Sequence, residues 1–149
     1  MVVGKFTPPA QDRDPAAAPS ILIVEDEALI ASYIREVLEE SGFIVAGVAS
    51  SGAEAIALAA SAAPHLALVD IKLAGPMDGI EVARLMRSRF NVMSIFLSST
   101  GDANTIARAS TVPPLGFLEK PFRPSQVFNA LQRALDGMTR AKEPVTPLK

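Results

Sequence analysis

The 149 residues are 49% hydrophobic and 20% charged, a balance that fits one globular domain and excludes a disordered or fibrous chain. A formal charge of −2 supplies no basic field for nucleic acid, and the lack of cysteine excludes disulfides and thiolate metal sites. No apolar run reaches membrane-spanning length, so the expected setting is the cytoplasm, with neither membrane nor nucleic acid as partner.

Residues 1–19 hold Pro8, Pro9, Pro15 and Pro19 and few large apolar side chains beyond Phe6, so a disordered tail is expected. The tail has no apolar h-region of the kind a secretory signal needs. Ser20 to Glu25 reads as a first strand. A helix follows from Glu27 to Glu40, with Leu29, Ile30, Tyr33, Ile34, Val37 and Leu38 as its apolar stripe and Gly42 as its stop. Phe43 to Val48 form a second strand. Ser51 and Glu54 have capping-box spacing and open an Ala-rich helix to Ala62, which Pro64 ends. The run from His65 to Asp70 is a strand apolar on both faces. Ile71 to Gly79 is a loop by its Gly and Pro content. A helix from Ile80 to Arg87, a strand from Val92 to Leu97, a weaker helix from Ala103 to Ser110 and a strand from Leu115 to Glu119 follow. Pro124 suits a first helical turn, and the last helix runs to Leu135 on Val127, Phe128, Leu131 and Leu135. Strand and helix alternate five times, which predicts an α/β domain over 20–136: a parallel sheet with helices on both faces, followed by a short tail at 137–149.

In such a sheet ligands bind outside the carboxyl ends of the strands, and the polar residues gather there. The first strand runs into Glu25, Asp26 and Glu27, the third stops on Asp70, the fourth on Ser98, Ser99 and Thr100, and the fifth on Lys120. Carboxylates at close range disfavour each other's ionisation, and a hard divalent cation such as Mg²⁺ relieves this through oxygen ligands. A nucleophilic carboxylate, a metal, a hydroxyl and an ammonium are what phosphoryl transfer to an aspartate requires. Plainer roles fit the neighbours. Glu27 suits a helix N-terminus, Asp78 an N-cap, Ser99 and Thr100 the loop, and His65 a surface or packing position.

The ordered set Val24-Glu25-Asp26-Glu27, Leu68-Val69-Asp70, Met77-Asp78-Gly79, Phe96-Leu97-Ser98-Ser99 and Lys120-Pro121-Phe122 resembles the receiver domain of bacterial two-component response regulators, over residues 20–136. The resemblance implies a flavodoxin-like doubly wound (βα)5 fold, strand order 2-1-3-4-5. It implies Asp70 as phosphoacceptor and a Mg²⁺ ion held by Glu25, Asp26, Asp70 and the backbone carbonyl of Lys72. Ser98 and Lys120 would then bind the phosphoryl group, with Ser98 and Phe117 as switch positions and a cis peptide before Pro121. Three features depart from the family pattern. The loop from Asp70 to Asp78 is one residue longer than the commonest version. Pro113-Pro114 replaces Gly-Ala before the fifth strand, and Phe117 lacks a hydroxyl, so a switch there works by packing alone. Lys72, two residues past Asp70, is placed to alter access of hydrolytic water.

With only a short tail after the receiver, the expected protein is a stand-alone response regulator, monomer or homodimer, and not an enzyme on external substrates. Its partners would be a histidine kinase or histidine phosphotransfer protein and a downstream protein target, reached through the fourth helix, fifth strand and fifth helix. The alternative is a degenerate receiver that binds partners without phosphorylation, against which the full set Asp26, Asp70, Ser98 and Lys120 argues. A phosphohydrolase would need a general acid two residues past Asp70, where Lys72 stands. A dinucleotide-binding domain would need a Gly-rich loop where Glu25, Asp26 and Glu27 stand.

Overall fold

Short apolar runs and amphipathic helices alternate along the chain, and the three central strands bury both faces under helices, while the two edge strands stay partly exposed. The computed structural model describes residues 18–99, 107–109 and 115–142, with side chains as far as 138. Its elements are β1 (Ser20–Val24), α1 (Ala28–Glu40), β2 (Ile44–Ala49), α2 (Gly52–Ala62), β3 (Leu66–Asp70), α3 (Gly79–Phe90), β4 (Met93–Ser98), α4 (of which 107–109 are described as helical), β5 (Gly116–Glu119) and α5 (Pro124–Lys142). The expected tail at 1–19, apart from its last two residues, lies outside the described residues, as do Thr100, Pro113, Pro114, most of the helix at 103–110 and the end of the tail at 137–149.

All five strands are parallel, in the order β2-β1-β3-β4-β5. This is the expected doubly wound, flavodoxin-like order. Strand side chains alternate between two cores. Ile21, Ile23, Leu66, Leu68, Ile95 and Leu97 pack with Ile34 and Leu38 of α1 and Val127, Phe128 and Leu131 of α5. Leu22, Val24, Ala67, Val69 and Phe96 pack on the other face with Ala55 and Ala59 of α2 and Val82, Ala83 and Met86 of α3. A bulge interrupts the β1–β2 ladder: Ile21 pairs with Val45 and Leu22 with Gly47, which leaves Ala46 as the extra residue.

Local chemistry sets the helix ends. Ser51 caps α2 by accepting the Glu54 N–H at 3.2 Å, but the Glu54 carboxylate turns back to Ser50, taking its N–H at 3.0 Å and its hydroxyl at 2.6 Å. Asp78 caps α3 by accepting the Glu81 N–H at 3.0 Å, as expected of it. His65 is exposed, and its Nδ1 accepts the Ser20 N–H at 3.0 Å, which ties the start of β1 to that of β3. Three expectations shift. Helix α3 runs past Arg87 to Phe90, where Asn91 in the left-handed conformation ends it. On α1 the inward face is Ala31, Ile34, Val37 and Leu38, and Leu29 points away, 86% exposed, because its angular position lies off that stripe. Helix α5 passes Leu135 and Gly137 and continues to Lys142, since Met138 returns to the core one turn after Leu135 and helps offset the cost of a mid-helix glycine.

Candidate functional site

Glu25, Asp26 and Asp70 meet at the carboxyl ends of β1 and β3, each with a carboxylate oxygen within 4.8 Å of the others. Backbone geometry brings them there. The Glu25 N–H donates to Ala49 O at 2.9 Å, prolonging the β1–β2 ladder by one residue, and the Glu25 side chain turns inward. The Ile71 N–H donates to Leu97 O at 3.0 Å, which does the same for β3 beside β4. Asp70 is buried, and its Oδ1 accepts the Lys72 N–H at 3.1 Å. Asp26 is half-buried, and its Oδ2 accepts the Ala74 N–H at 3.1 Å, which fastens the loop after β3 to the end of β1.

Lys120 enters from the end of β5. Its ammonium donates to Glu25 Oε1 at 2.9 Å and lies 3.4 Å from Asp70 Oδ2. Its own N–H donates to Ser98 O at 2.7 Å, so the ends of β4 and β5 are joined next to the acids. Ser98 is buried at the end of β4, one residue past Leu97, the partner of Asp70 in the β3–β4 register. The peptide between Lys120 and Pro121 is cis. Phe117 is 38% exposed, its ring tilted against Phe96 with centroids 5.9 Å apart, which places it at the sheet edge and not in the core.

The charge balance around Lys120 is uneven, with three carboxylates converging beside its ammonium. Burial pushes the Glu25 carboxyl up to about 7, with the charge of Asp70 adding to that and the Glu27 N–H and Lys120 opposing it. Lys120 is held above its usual value: burial works against its charge, but Glu25 and Asp70 outweigh it. A site that keeps its lysine charged and one carboxyl hard to ionise is short of positive charge. Among the described residues the cluster offers carboxylate oxygens alone, which suit a hard divalent cation such as Mg²⁺.

The sequence profile of the response regulator receiver domain matches residues 21–132, most of the chain. The chain belongs to this family. As a receiver it is 33% identical over 130 residues to the transcriptional regulatory protein PdtaR of Mycobacterium tuberculosis, a match that covers 87% of this chain and 63% of PdtaR. It is 30% identical over 114 residues to the chemotaxis protein CheY of Thermotoga maritima, covering 76% of this chain and 94% of CheY. The signal receiver domain of a modulated diguanylate cyclase from Desulfovibrio desulfuricans G20 superposes with a TM-score of 0.79 at 37% identity, covering 84% of this chain and 99% of that one. The receiver thus spans about three fifths of the length of PdtaR. No described helix is long and apolar enough to cross a membrane.

Glu25, Asp26, Asp70, Ser98 and Lys120 therefore come together, while Lys72 reaches the group through its backbone and Phe117 stays apart. Three contributors were not legible as site residues in the sequence. Gly79 packs on the Asp70 peptide so closely that an added Cβ would lie 1.9 Å from Asp70 O. The Asp-Gly pair marked a helix start but not this approach. Arg108 pairs with the capping Asp78 at 3.0 Å across 30 residues. The Tyr33 hydroxyl donates to Phe122 O at 3.2 Å, although periodicity assigned Tyr33 to the inner stripe of α1.

Proposed function

We propose that this receiver takes a phosphoryl group onto Asp70 in a Mg²⁺-dependent reaction, from a histidine kinase or histidine phosphotransfer protein, and that the change is read by a protein partner. The observation that carries this reading is the Lys120 ammonium set between Glu25 and Asp70 at 2.9 and 3.4 Å, beside three converging carboxylates. The functional unit in this reading is 20–136, from which α5 extends to Lys142.

Glu25, Asp26, Asp70 and the Lys72 carbonyl would hold the metal. When bound, Mg²⁺ supplies charge neutralisation for the transferring group. The chain's own residues do the rest. The Lys72 N–H holds Asp70 Oδ1, so one carboxylate oxygen is oriented by the backbone. An Asp70 oxygen bonds to phosphorus as the bond from phosphorus to the donor breaks, and the donor leaves with that electron pair. Lys120 is placed to exchange a carboxylate partner for a phosphoryl oxygen, and Ser98 to donate its hydroxyl to another. Attack of water on phosphorus later releases phosphate and restores Asp70. The phosphorylated form would favour a conformation in which Ser98, Phe117 and the surface of α4, β5 and α5 repack, Phe117 doing so through its ring alone.

Intact-mass analysis after incubation with acetyl phosphate and Mg²⁺ tests the reading. A single phosphoryl adduct is expected, absent from Asp70→Asn and absent with chelator, while Asp70→Asn keeps the wild-type fold by circular dichroism. An adduct that persists in Asp70→Asn would place the chemistry elsewhere. No adduct from either acetyl phosphate or a kinase donor would favour a phosphorylation-independent binding module.

A further inference from the structure

The turn that carries Lys120 is fastened at both ends. At its start the Lys120 N–H donates to Ser98 O at 2.7 Å. At its end the Phe122 carbonyl accepts the Tyr33 hydroxyl at 3.2 Å, and the two rings stack with centroids 6.1 Å apart and planes 30° apart. Tyr33 stands on α1, the helix that begins two residues after Asp26. One side chain thus links the helix leaving the acidic cluster to the turn bearing the ammonium that faces it.

The hydroxyl is not needed for filling space. Tyr33 borders a mostly apolar cavity of about 370 Å³ with Leu29, Ile30, Lys120, Pro121 and Phe122, and it is 36% exposed. A phenylalanine would meet the same neighbours. What the hydroxyl adds is a directional bond to a carbonyl two residues from Lys120. Lysine has a flexible four-carbon stem, so where its ammonium can reach depends on where its backbone is fixed. Burial also raises the Tyr33 phenol above its usual value, which keeps the proton it donates.

We infer that Tyr33 is a positioning residue for phosphoryl transfer: its hydroxyl holds the Lys120-Pro121-Phe122 turn where the Lys120 ammonium reaches both Glu25 and Asp70. The inference rests on the receiver reading above. It gives the transfer step a contributor on α1 that touches neither phosphoryl group nor metal ligand, and that acts by preorganising Lys120.

Tyr33→Phe tests it, since the ring is kept and only the hydroxyl goes. Labelling by acetyl phosphate with saturating Mg²⁺ should show a maximal rate lower by about threefold to tenfold, the range one neutral hydrogen bond supports. The half-saturating acetyl phosphate concentration should stay within twofold, and so should the Mg²⁺ dissociation constant measured by calorimetry. A second readout does not need phosphorylation. Tyr33 is the chain's one tyrosine and there is no tryptophan, so intrinsic emission reports this side chain alone. Mg²⁺ should change that emission in the wild-type protein, because it draws carboxylates away from Lys120, and the change should be lost in Lys120→Met. A wild-type maximal rate in Tyr33→Phe, or an unchanged Mg²⁺ response in Lys120→Met, overturns the role of Tyr33. A wild-type protein that takes no phosphoryl group from any donor overturns the receiver reading instead, and the emission arm keeps the two failures apart.

Discussion

Replacing Gly79 by alanine adds one methyl group against the most crowded backbone beside the acids. The new Cβ would lie 1.9 Å from Asp70 O, 2.7 Å from Asp70 C and 2.9 Å from Ile71 Cα. Ordinary contact begins near 3.4 Å, so one backbone or the other must retreat by about 1.5 Å. None of these atoms belongs to a flexible side chain that can step aside. Overpacking of this kind costs about 3 kcal/mol at the top of its usual range. At the first position of α3 alanine regains at most about 1 kcal/mol of helix propensity. The net loss is then about 2 kcal/mol or more, which for a chain of this size lowers the melting temperature by about 8 °C. The retreat also displaces the Asp70 peptide and with it the carboxylate held by the Lys72 N–H at 3.1 Å. Misplacement by about 1 Å can slow a reaction about 100-fold, so labelling of the folded variant should fall at least about tenfold. Circular dichroism melts and initial labelling rates, both well below the melting temperature, measure the two effects. Gly116→Ala is the control, because nothing lies within 4 Å of its added Cβ. A Gly79→Ala protein that melts within 2 °C of wild type, about 0.5 kcal/mol, and labels at the wild-type rate would refute the steric argument.

Asp26→Ala should abolish the Mg²⁺ dependence of labelling, and full Mg²⁺-dependent labelling in that variant would contradict the metal assignment. For pH, the sign follows from Glu25, whose folded value of about 7 stands above its ordinary 4.5. Its contribution to stability is fully present below about 4.5 and is lost as pH rises through about 7. In chelator, Glu25→Gln should therefore gain in melting temperature relative to wild type between pH 5 and pH 8, roughly the window just given. A difference that stays flat with pH would show that Glu25 ionises normally. Asp78→Ala should destabilise by about 1 kcal/mol in urea unfolding through loss of the α3 cap. Arg108→Ala should cost less than half of that, since its guanidinium is 63% exposed and the pair is screened. Equal costs would mean that the ion pair, and not the cap, anchors that end of α3.

The sheet was readable because its signals are local and strong. Leu66 to Val69 and Ile21 to Val24 are apolar without a break, and a buried strand is the arrangement that covers both their faces. The acids were readable for the converse reason: charge at the end of a buried run has to lie past the strand, at the carboxyl ends of the sheet. What escaped depends on distances between segments. Leu29 has the right residue type for the α1 stripe and the wrong angle, which becomes visible once Ile34, Val37 and Leu38 define the inward face. Gly79 reads as turn chemistry until Asp70 O is found against it. The bond from Tyr33 to Phe122 joins residues 89 apart, and no periodicity encodes it. The end of α5 was misjudged because Gly137 is a weak helix former, while Met138 behind it still finds the core.

The bulge at Ala46 bears on how the protein behaves at high concentration. Strand β2 lies at one edge of the sheet and reads Ile-Val-Ala-Gly-Val-Ala, six residues without charge or proline. That is the composition of a segment able to template cross-β stacking with copies of itself, and an open edge would expose its unpaired amides to them. The extra residue divides the strand after Val45, so neither part offers a regular hydrogen-bonding row of that length. One irregular residue at the rim thus breaks the regular edge that the sequence of β2 would otherwise present to another copy.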